Sequence, residues 1–285
     1  MLSYVGGKSK IGKWIVPFYP KDMEYYVETF SGMYWCFFNM NLDEYPNLKK
    51  IVYNDFNPLN YNLFSCLKDH QKLLTECEKI YVQEKGVSPT NSICKQNFEQ
   101  FQRELFSEKF SLTNVPNYEV AAKYAYILTQ VFSGANPERA SFIDLKGKYH
   151  SKFTSFKNKL RDPKWQRLFE SITNAENMDF QEVIEKYDSE KTYFYVDPPY
   201  YIVGEGSYYS NHTFTRDDHE RLANCLRSIK GKFSLSYYDF PQLSEWFPKN
   251  VYNWQSKEFA KAAMAKAGKP QTKGIELLIM NYEKE

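Results

Sequence analysis

Apolar positions in this chain follow two periods that take turns, and the alternation predicts a layered arrangement of strands and helices. Tyr26-Val27-Glu28-Thr29-Phe30 predicts a short strand, Ser31-Gly32 a turn, and the apolar stretch from Met33 to Phe38 a helix. Ile51-Val52-Tyr53 predicts a second strand that ends at Asn54-Asp55. Asn57-Pro58 then predicts a helix start, because asparagine caps a helix and proline fits its first turn. Two strands with a helix between them make a parallel beta-alpha-beta unit.

From about Gln71 to Val131 the period becomes helical. Phe98, Phe101 and Leu105 fall on one face, as do Ala121, Tyr124, Ala125 and Leu128. A polar stretch from Ser133 to Lys159 follows, in which Arg139, Lys146, Lys148, His150, Lys152, Lys157 and Lys159 interleave with Phe142, Tyr149, Phe153 and Phe156. Cations meet phosphates and rings meet bases, so the mixture suits nucleic-acid contact; a solvated loop fits it as well. Strand and helix signals then resume. They are Ser171-Ile172-Thr173, a helix from Phe180 to Lys186, a strand from Tyr193 to Val196, a helix from Asp217 to Ile229, a strand from Lys232 to Tyr237, and a closing strand from Ile275 to Met280. Thr215 and Asp218 form a box-like start to the Asp217 helix. The Lys, Ala and Gly-rich run from Lys257 to Lys273 reads as a mobile basic loop, a fraying helix near a phosphate surface, or a solvated segment. The α/β layer thus brackets a helical insert at 66–159, with 1–65 and 160–285 on either side.

Composition narrows the class. The 285 residues are 42% hydrophobic and 25% charged, with a mean hydropathy of −0.63, as in ordinary soluble globular chains. A net charge of +2 carries no polyanion signal averaged over the chain. The aromatic content of 18% fills a core or supplies flat faces for nucleobases. Five cysteines without a C-x-x-C pair fit reduced thiols and no zinc site. No signal-like apolar segment opens the chain and no apolar run approaches the ~18 residues of a membrane span, so a cytoplasmic protein with no membrane association is expected.

Three segments carry candidate chemistry. Gly7-Lys8-Ser9 resembles part of a phosphate-binding P-loop, but Leu2 stands where that loop needs its first glycine. Gly6-Gly7 instead lets backbone approach a ligand closely, with Lys8 beside it. Glu28 to Gly32, followed by Asp55 about twenty residues on, has the spacing of a nucleotide-like site: a turn after the first strand and an acid for ribose hydroxyls after the second. The strongest segment is Asp197-Pro198-Pro199-Tyr200, directly after the apolar strand. Consecutive prolines cannot continue a central strand and force a rigid extended turn. Asp197 and the Pro198 carbonyl are two acceptors for an amino group, and Tyr200 is a flat wall for its base.

Asp197 to Tyr200 resembles the D-P-P-Y motif of amino-directed DNA methyltransferases. In matching order, Tyr4 to Lys8 resembles the [WY]-x-G-G-K start of the Dam-like adenine methyltransferases, Val27 to Gly32 their V-E-P-F-x-G turn, and Tyr53 to Asn57 their ribose-binding D-x-N strand end. Asn177-Met178-Asp179-Phe180 is similar to their adenine-cradling D-F segment, and Glu276-Leu277-Leu278 to their closing E-x-L strand. The motif order is that of the alpha group.

The resemblance implies a Rossmann-like S-adenosylmethionine-dependent fold, α/β, with the catalytic domain at 1–65 and 160–285 and an inserted helical target-recognition domain at 66–159. It implies methyl transfer to the N6 amino group of an adenine flipped from double-stranded DNA, within restriction-modification, by a monomer using no metal. Asp197, Pro198, Pro199 and Tyr200 would be catalytic. Tyr4, Gly7, Lys8, Glu28, Phe30, Ser31, Gly32, Asp55, Asp179 and Phe180 would hold S-adenosylmethionine, and Asn136, Arg139, Lys146, Lys148 and Lys152 would meet DNA. One departure stands out. The family turn continues F-x-G-x-G, whereas Tyr34 occupies the second glycine, and its ring either crowds the methionine part of the cofactor or points away. Cytosine-amino or RNA methylation, and a DNA-binding protein that has lost cofactor binding, remain as alternatives.

Overall fold

A computed structural model describes residues 2, 8–9, 11–81, 93–131, 135–143, 152–200, 214–260 and 273–284. The chain divides into two compact units, Met1–Gly7 with Asn57–Asn177 and Lys8–Phe56 with Met178–Glu285. Helix α1 (Gly12–Ile15) and strands β1 (Tyr25–Glu28) and β2 (Lys50–Asn54) open the second of these. The first holds α2 (Pro58–Leu67), α3 (His70–Glu78), α4 (Ile93–Leu105), α5 (Tyr118–Gln130), α6 (Lys152–Arg161), α7 (Pro163–Ser171) and the short β3 (Asn174–Glu176). The chain then returns through α8 (Phe180–Tyr187), β4 (Thr192–Val196), α9 (Arg216–Ser228), β5 (Lys232–Tyr237), α10 (Leu243–Trp246), β6 (Asn253–Ala260) and β7 (Lys273–Met280).

In the helical unit, α5 is the core element, with an unbroken buried run from Tyr124 to Gln130, and it packs against α2, α3, α4 and α6. Side-chain caps set the helix starts. Asn57 accepts from Leu59 N at 2.9 Å, with Pro58 in the first turn as its sequence predicts. Asp69, Asn117 and Asp162 cap α3, α5 and α7 in the same way. Asn62 of α2 bonds both the N–H and the C=O of Asn117, fixing where α5 begins. Phe98, Phe101 and Leu105 are buried along α4 as their spacing predicts. The polar stretch after α5 turns out differently: 152–161 is helix, and Phe153 and Phe156 are buried beneath it against Tyr126 and each other. Those two rings belong to the core and offer no base-stacking surface. Ser171 likewise closes a helix, and the strand expected there begins at Asn174.

In the sheet unit the strands run in the order β2-β1-β4-β5-β7-β6. The first four are parallel, with Val27 beside both Val52 and Phe194, and Phe194 beside Phe233. β7 is antiparallel to β5 and to β6. All five residues of β4 are buried, so it reads as a continuous apolar run rather than an alternation. Helices α8 and α9 bury Val183, Ile184, Leu222, Ala223 and Leu226 against Val27, Phe194 and Phe233. Between β1 and β2 the expected helix from Met33 is absent. That link contains single 3-10 turns at Phe37–Asn39 and Leu42–Glu44, because Tyr34 has a left-handed backbone, φ 57°, that no right-handed helix accepts. β6 was not expected, and it absorbs Lys257 to Ala260 of the basic run.

Candidate active site

β4 ends at Val196, and the Asp197-Pro198-Pro199-Tyr200 turn leaves the sheet at the carboxyl end of its parallel strands, where open α/β sheets bind ligands. The turn closes over a buried ionic cluster. Lys8 Nζ lies 2.9 Å from Asp197 Oδ1 and 3.0 Å from Glu276 of β7, and it donates to the Tyr200 hydroxyl. Tyr200 in turn donates to Glu276 Oε1 at 2.5 Å, and Ser236 of β5 donates to the same oxygen. Burial pushes the Asp197 carboxyl up to about 6; Lys8 pulls it down and Glu276 pushes it further up. Burial works against the charge on Lys8, but Asp197 and Glu276 outweigh it and hold the ammonium protonated. The Tyr200 ring is walled by Tyr238, 4.3 Å between centroids, and Tyr237 at 5.5 Å. Burial, then Asp197 and Glu276, push its hydroxyl up, so it stays neutral.

The turn after β1 is held at nearly every polar atom. Ser31 N donates to Asn54 O at 2.8 Å, Ser31 Oγ donates to Glu28 O, and Asn54 N donates to Ser31 Oγ. Gly32, at φ 50°, donates its N–H to Asp55 Oδ2 at 2.7 Å, while its carbonyl accepts from the Tyr53 hydroxyl at 2.9 Å. Tyr34 answers the question its sequence raises. It is fully buried, stacks on Phe37 at 4.5 Å, and donates its hydroxyl to Val52 O at 3.1 Å. The ring points into the core, while the backbone keeps the left-handed conformation a glycine would adopt.

Asn54, at the end of β2, joins this turn to the start of α8. Its Nδ2 donates to Thr29 O at 2.9 Å and to Met178 O at 3.1 Å, and its Oδ1 accepts from Met178 N at 3.0 Å. Asp179 caps α8 in a two-way capping box with Glu182 and receives Arg221 of α9 on both carboxylate oxygens, at 2.6 and 3.0 Å. The Arg221 guanidinium lies 4.0 Å over the Phe180 ring. Phe180, Phe30 and Phe214 form one aromatic group, with centroids 5.6 to 5.7 Å apart.

Residues 4–261 match the sequence model of the D12 class N6 adenine-specific DNA methyltransferase family. The chain belongs to that family. Two relatives align along nearly its whole length: a type II methyltransferase named M1.LlaDCHI from Lactococcus lactis subsp. cremoris, 25% identical over 98% of this chain and 94% of the relative, and a type II methyltransferase named M.MjaIII from Methanocaldococcus jannaschii, 24% identical over 99% and 98%. The mixed α/β sheet is consistent with an S-adenosylmethionine-dependent methyltransferase fold, and methyltransferases in general draw on that donor.

Set against the methyltransferase reading, the structure gathers Lys8, Asp197, Pro198, Pro199 and Tyr200 around one centre. It places Phe30, Ser31, Gly32 and Asp55 together at the ends of β1 and β2. The Glu28 carboxyl at the end of β1 is buried, accepts from the Tyr26 hydroxyl and from Phe37 N, and is pushed up by burial. Asp179 is committed to its helix cap and to Arg221. Asn136 and Arg139 lie in a turn that Gln102 of α4 holds by the Pro137 and Ala140 carbonyls, and Lys152 opens α6, exposed. Tyr4, Gly7, Lys146 and Lys148 lie outside the described residues. The reading of the sequence passed over Glu276, Asn54 and Arg221 as site residues. Asn54 lies within the Tyr53–Asn57 segment and Glu276 opens Glu276-Leu277-Leu278, and the signal of each is a polar residue inside an apolar strand.

The arrangement fits S-adenosylmethionine. Asp55 supplies a carboxylate for hydroxyl donors, the Phe30, Phe180 and Phe214 rings supply flat apolar faces, and Thr29 Oγ1, buried next to the turn, has no hydrogen-bond partner among the described residues.

Proposed function

We propose that this chain methylates the N6 amino group of a specific adenine in double-stranded DNA, as the modification enzyme of a type II restriction-modification system. The observation that carries the reading is the rigid Asp197-Pro198-Pro199-Tyr200 turn with Lys8 buried against it. Phe30, Ser31, Gly32 and Asp55 hold the methionine and ribose parts of S-adenosylmethionine, and Phe180, positioned by Asp179, holds its adenine. Bound there, S-adenosylmethionine supplies an electrophilic methyl group.

The target adenine leaves the duplex at a cost of a few kcal/mol and stacks on Tyr200. The Asp197 carboxylate and the Pro198 carbonyl accept hydrogen bonds from its amino group, which draws the nitrogen toward a tetrahedral shape and frees its lone pair. Asp197 is then the acceptor for the proton the nitrogen releases, and Lys8 stabilises the carboxylate before that transfer. The helical unit, with Asn136, Arg139 and Lys152, reads sequence and meets phosphates. A binding-only protein loses its main support, since the Tyr34 ring lies in the core.

The test is transfer of labelled methyl from S-adenosylmethionine to unmethylated plasmid, followed by nucleoside mass spectrometry. Label on N6-methyladenine is expected, with loss of transfer but retained DNA binding in Asp197→Ala. Label on cytosine, or none from folded protein, overturns the reading.

A further inference from the structure

Glu276 lies at the centre of the cluster, yet neither the D-P-P-Y turn nor the cofactor turn contains it. Its residue is 1% exposed, and a carboxylate so deeply buried persists only where it is paired. One oxygen, Oε1, receives Lys8 at 3.0 Å, Tyr200 at 2.5 Å and Ser236. An ammonium has three N–H donors and a phenol has one. Lys8 spends its three on Asp197, Glu276 and Tyr200, and Tyr200 gives its one to Glu276. Remove Glu276 and both donors lose their anchor, while Asp197 loses a like charge that shares its only short ammonium contact among the described residues.

We propose that Glu276 is a positioning residue for methyl transfer, holding Lys8 and Tyr200 in fixed places around Asp197 and setting the charge that Asp197 presents to the target amino group. The inference rests on the methyltransferase reading above. The ionisable groups that face Asp197 are Lys8 from the N-terminal segment, Tyr200 and Tyr195 flanking it, Glu276 from β7, Tyr238 beyond β5, and Glu28 and Cys36 behind the sheet ends. Of these, Lys8 stabilises ionised Asp197 and Glu276 is the main charge opposing it.

Two variants separate charge from placement. Glu276→Gln keeps the shape and removes the charge; Glu276→Asp keeps the charge and withdraws the oxygen. The Asp197 carboxyl is followed by 13C NMR in protein labelled at aspartate and assigned by the signal missing from Asp197→Asn. The pH profile of kcat/KM on plasmid DNA is measured alongside. The expected results are a fall of the Asp197 midpoint by about one pH unit or more in Glu276→Gln, from about 6, and a matching shift of the acid limb of kcat/KM. In Glu276→Asp the midpoint stays near the wild-type value while kcat falls at least about tenfold and KM for DNA changes little. A midpoint that does not move in Glu276→Gln overturns the proposal, as does wild-type kcat in Glu276→Asp. A purely structural Glu276 would lower kcat equally at every pH. The NMR titration uses no substrate, so wild-type protein that transfers no methyl refutes the methyltransferase reading, and with it the proposed role, whatever the titration shows.

Discussion

Replacing Tyr34 by glycine tests how this fold accommodates a bulky residue in the left-handed backbone conformation. Three quantities compete. A tyrosine at φ 57° costs about 1–2 kcal/mol against a right-handed conformation, and glycine removes that cost. Glycine adds about 0.5–1 kcal/mol of backbone entropy lost on folding. The third quantity decides the outcome: a fully buried ring on Phe37 and Tyr53, with a hydroxyl bonded to Val52 O, is lost and leaves a cavity. Truncating a buried aromatic costs about 3–5 kcal/mol. The net expectation for Tyr34→Gly is a loss of about 2–4 kcal/mol. Tyr34→Phe, which keeps the ring and drops the hydroxyl, should lose about 1 kcal/mol.

Urea unfolding followed by tryptophan fluorescence reads both losses as shifts of midpoint at constant slope. Because the ring faces the core, Tyr34→Gly should not tighten S-adenosylmethionine binding, measured by calorimetry on the folded variant. A glycine variant as stable as wild type would refute the packing argument. A variant that binds cofactor severalfold more tightly would show that the ring obstructs the pocket after all.

Three further outcomes follow from single residues. His219 is buried beside Tyr237, and burial lowers it to about 4, so its folded form is the neutral one; its contribution is complete above pH 6.5 and is lost as pH falls toward 4. That loss is about 3 kcal/mol in all, and His219→Phe should flatten the fall of stability with pH over this window; an unchanged slope would refute it. Gly231→Ala puts a Cβ 2.6 Å from Thr192 O and 2.9 Å from Ser189 O, both backbone, so it should destabilise by about 1–3 kcal/mol or more in thermal unfolding. Asn54→Asp cannot donate to the Thr29 and Met178 carbonyls; it should cost about 2 kcal/mol or more and raise the Kd for S-adenosylmethionine while leaving DNA affinity unchanged, as paired binding assays would show.

These residues also show where the chain is legible from its letters. β4 is a buried apolar run flanked by turn chemistry, the usual look of a strand covered on both faces, and β5 shows its apolar residues in alternation. The Phe98 face of α4 and the Asn57-Pro58 start of α2 are equally plain, since spacing and capping act locally. The misreadings have separate physical causes. The 152–161 helix places Phe153, Phe156 and Leu160 inward, yet its lysines mask that face in a window dominated by charge. Met33 to Phe38 is apolar enough for a helix, but bonds from Ser31, Gly32 and Tyr34 to β2 and its end outweigh local preference. Among the described residues β6 pairs with β7 alone, and its half-exposed face leaves little alternation to detect.

The strand β7 carries this furthest. By polarity Ile275 belongs inside and Glu276 outside; in the structure Ile275 is 53% exposed and Glu276 is 1% exposed, on the face of Leu278 and Met280. An inverted pair of this kind costs both the burial of a leucine-sized side chain and the desolvation of a carboxylate, several kcal/mol together. Among the described side chains of β7 none pairs with Glu276. Lys8, Tyr200 and Ser236 do, from three other parts of the chain, and no local window contains them. A strand that breaks its own pattern at one residue, and is compensated only by the side chains around the D-P-P-Y turn, ties its register to the chemistry of that turn.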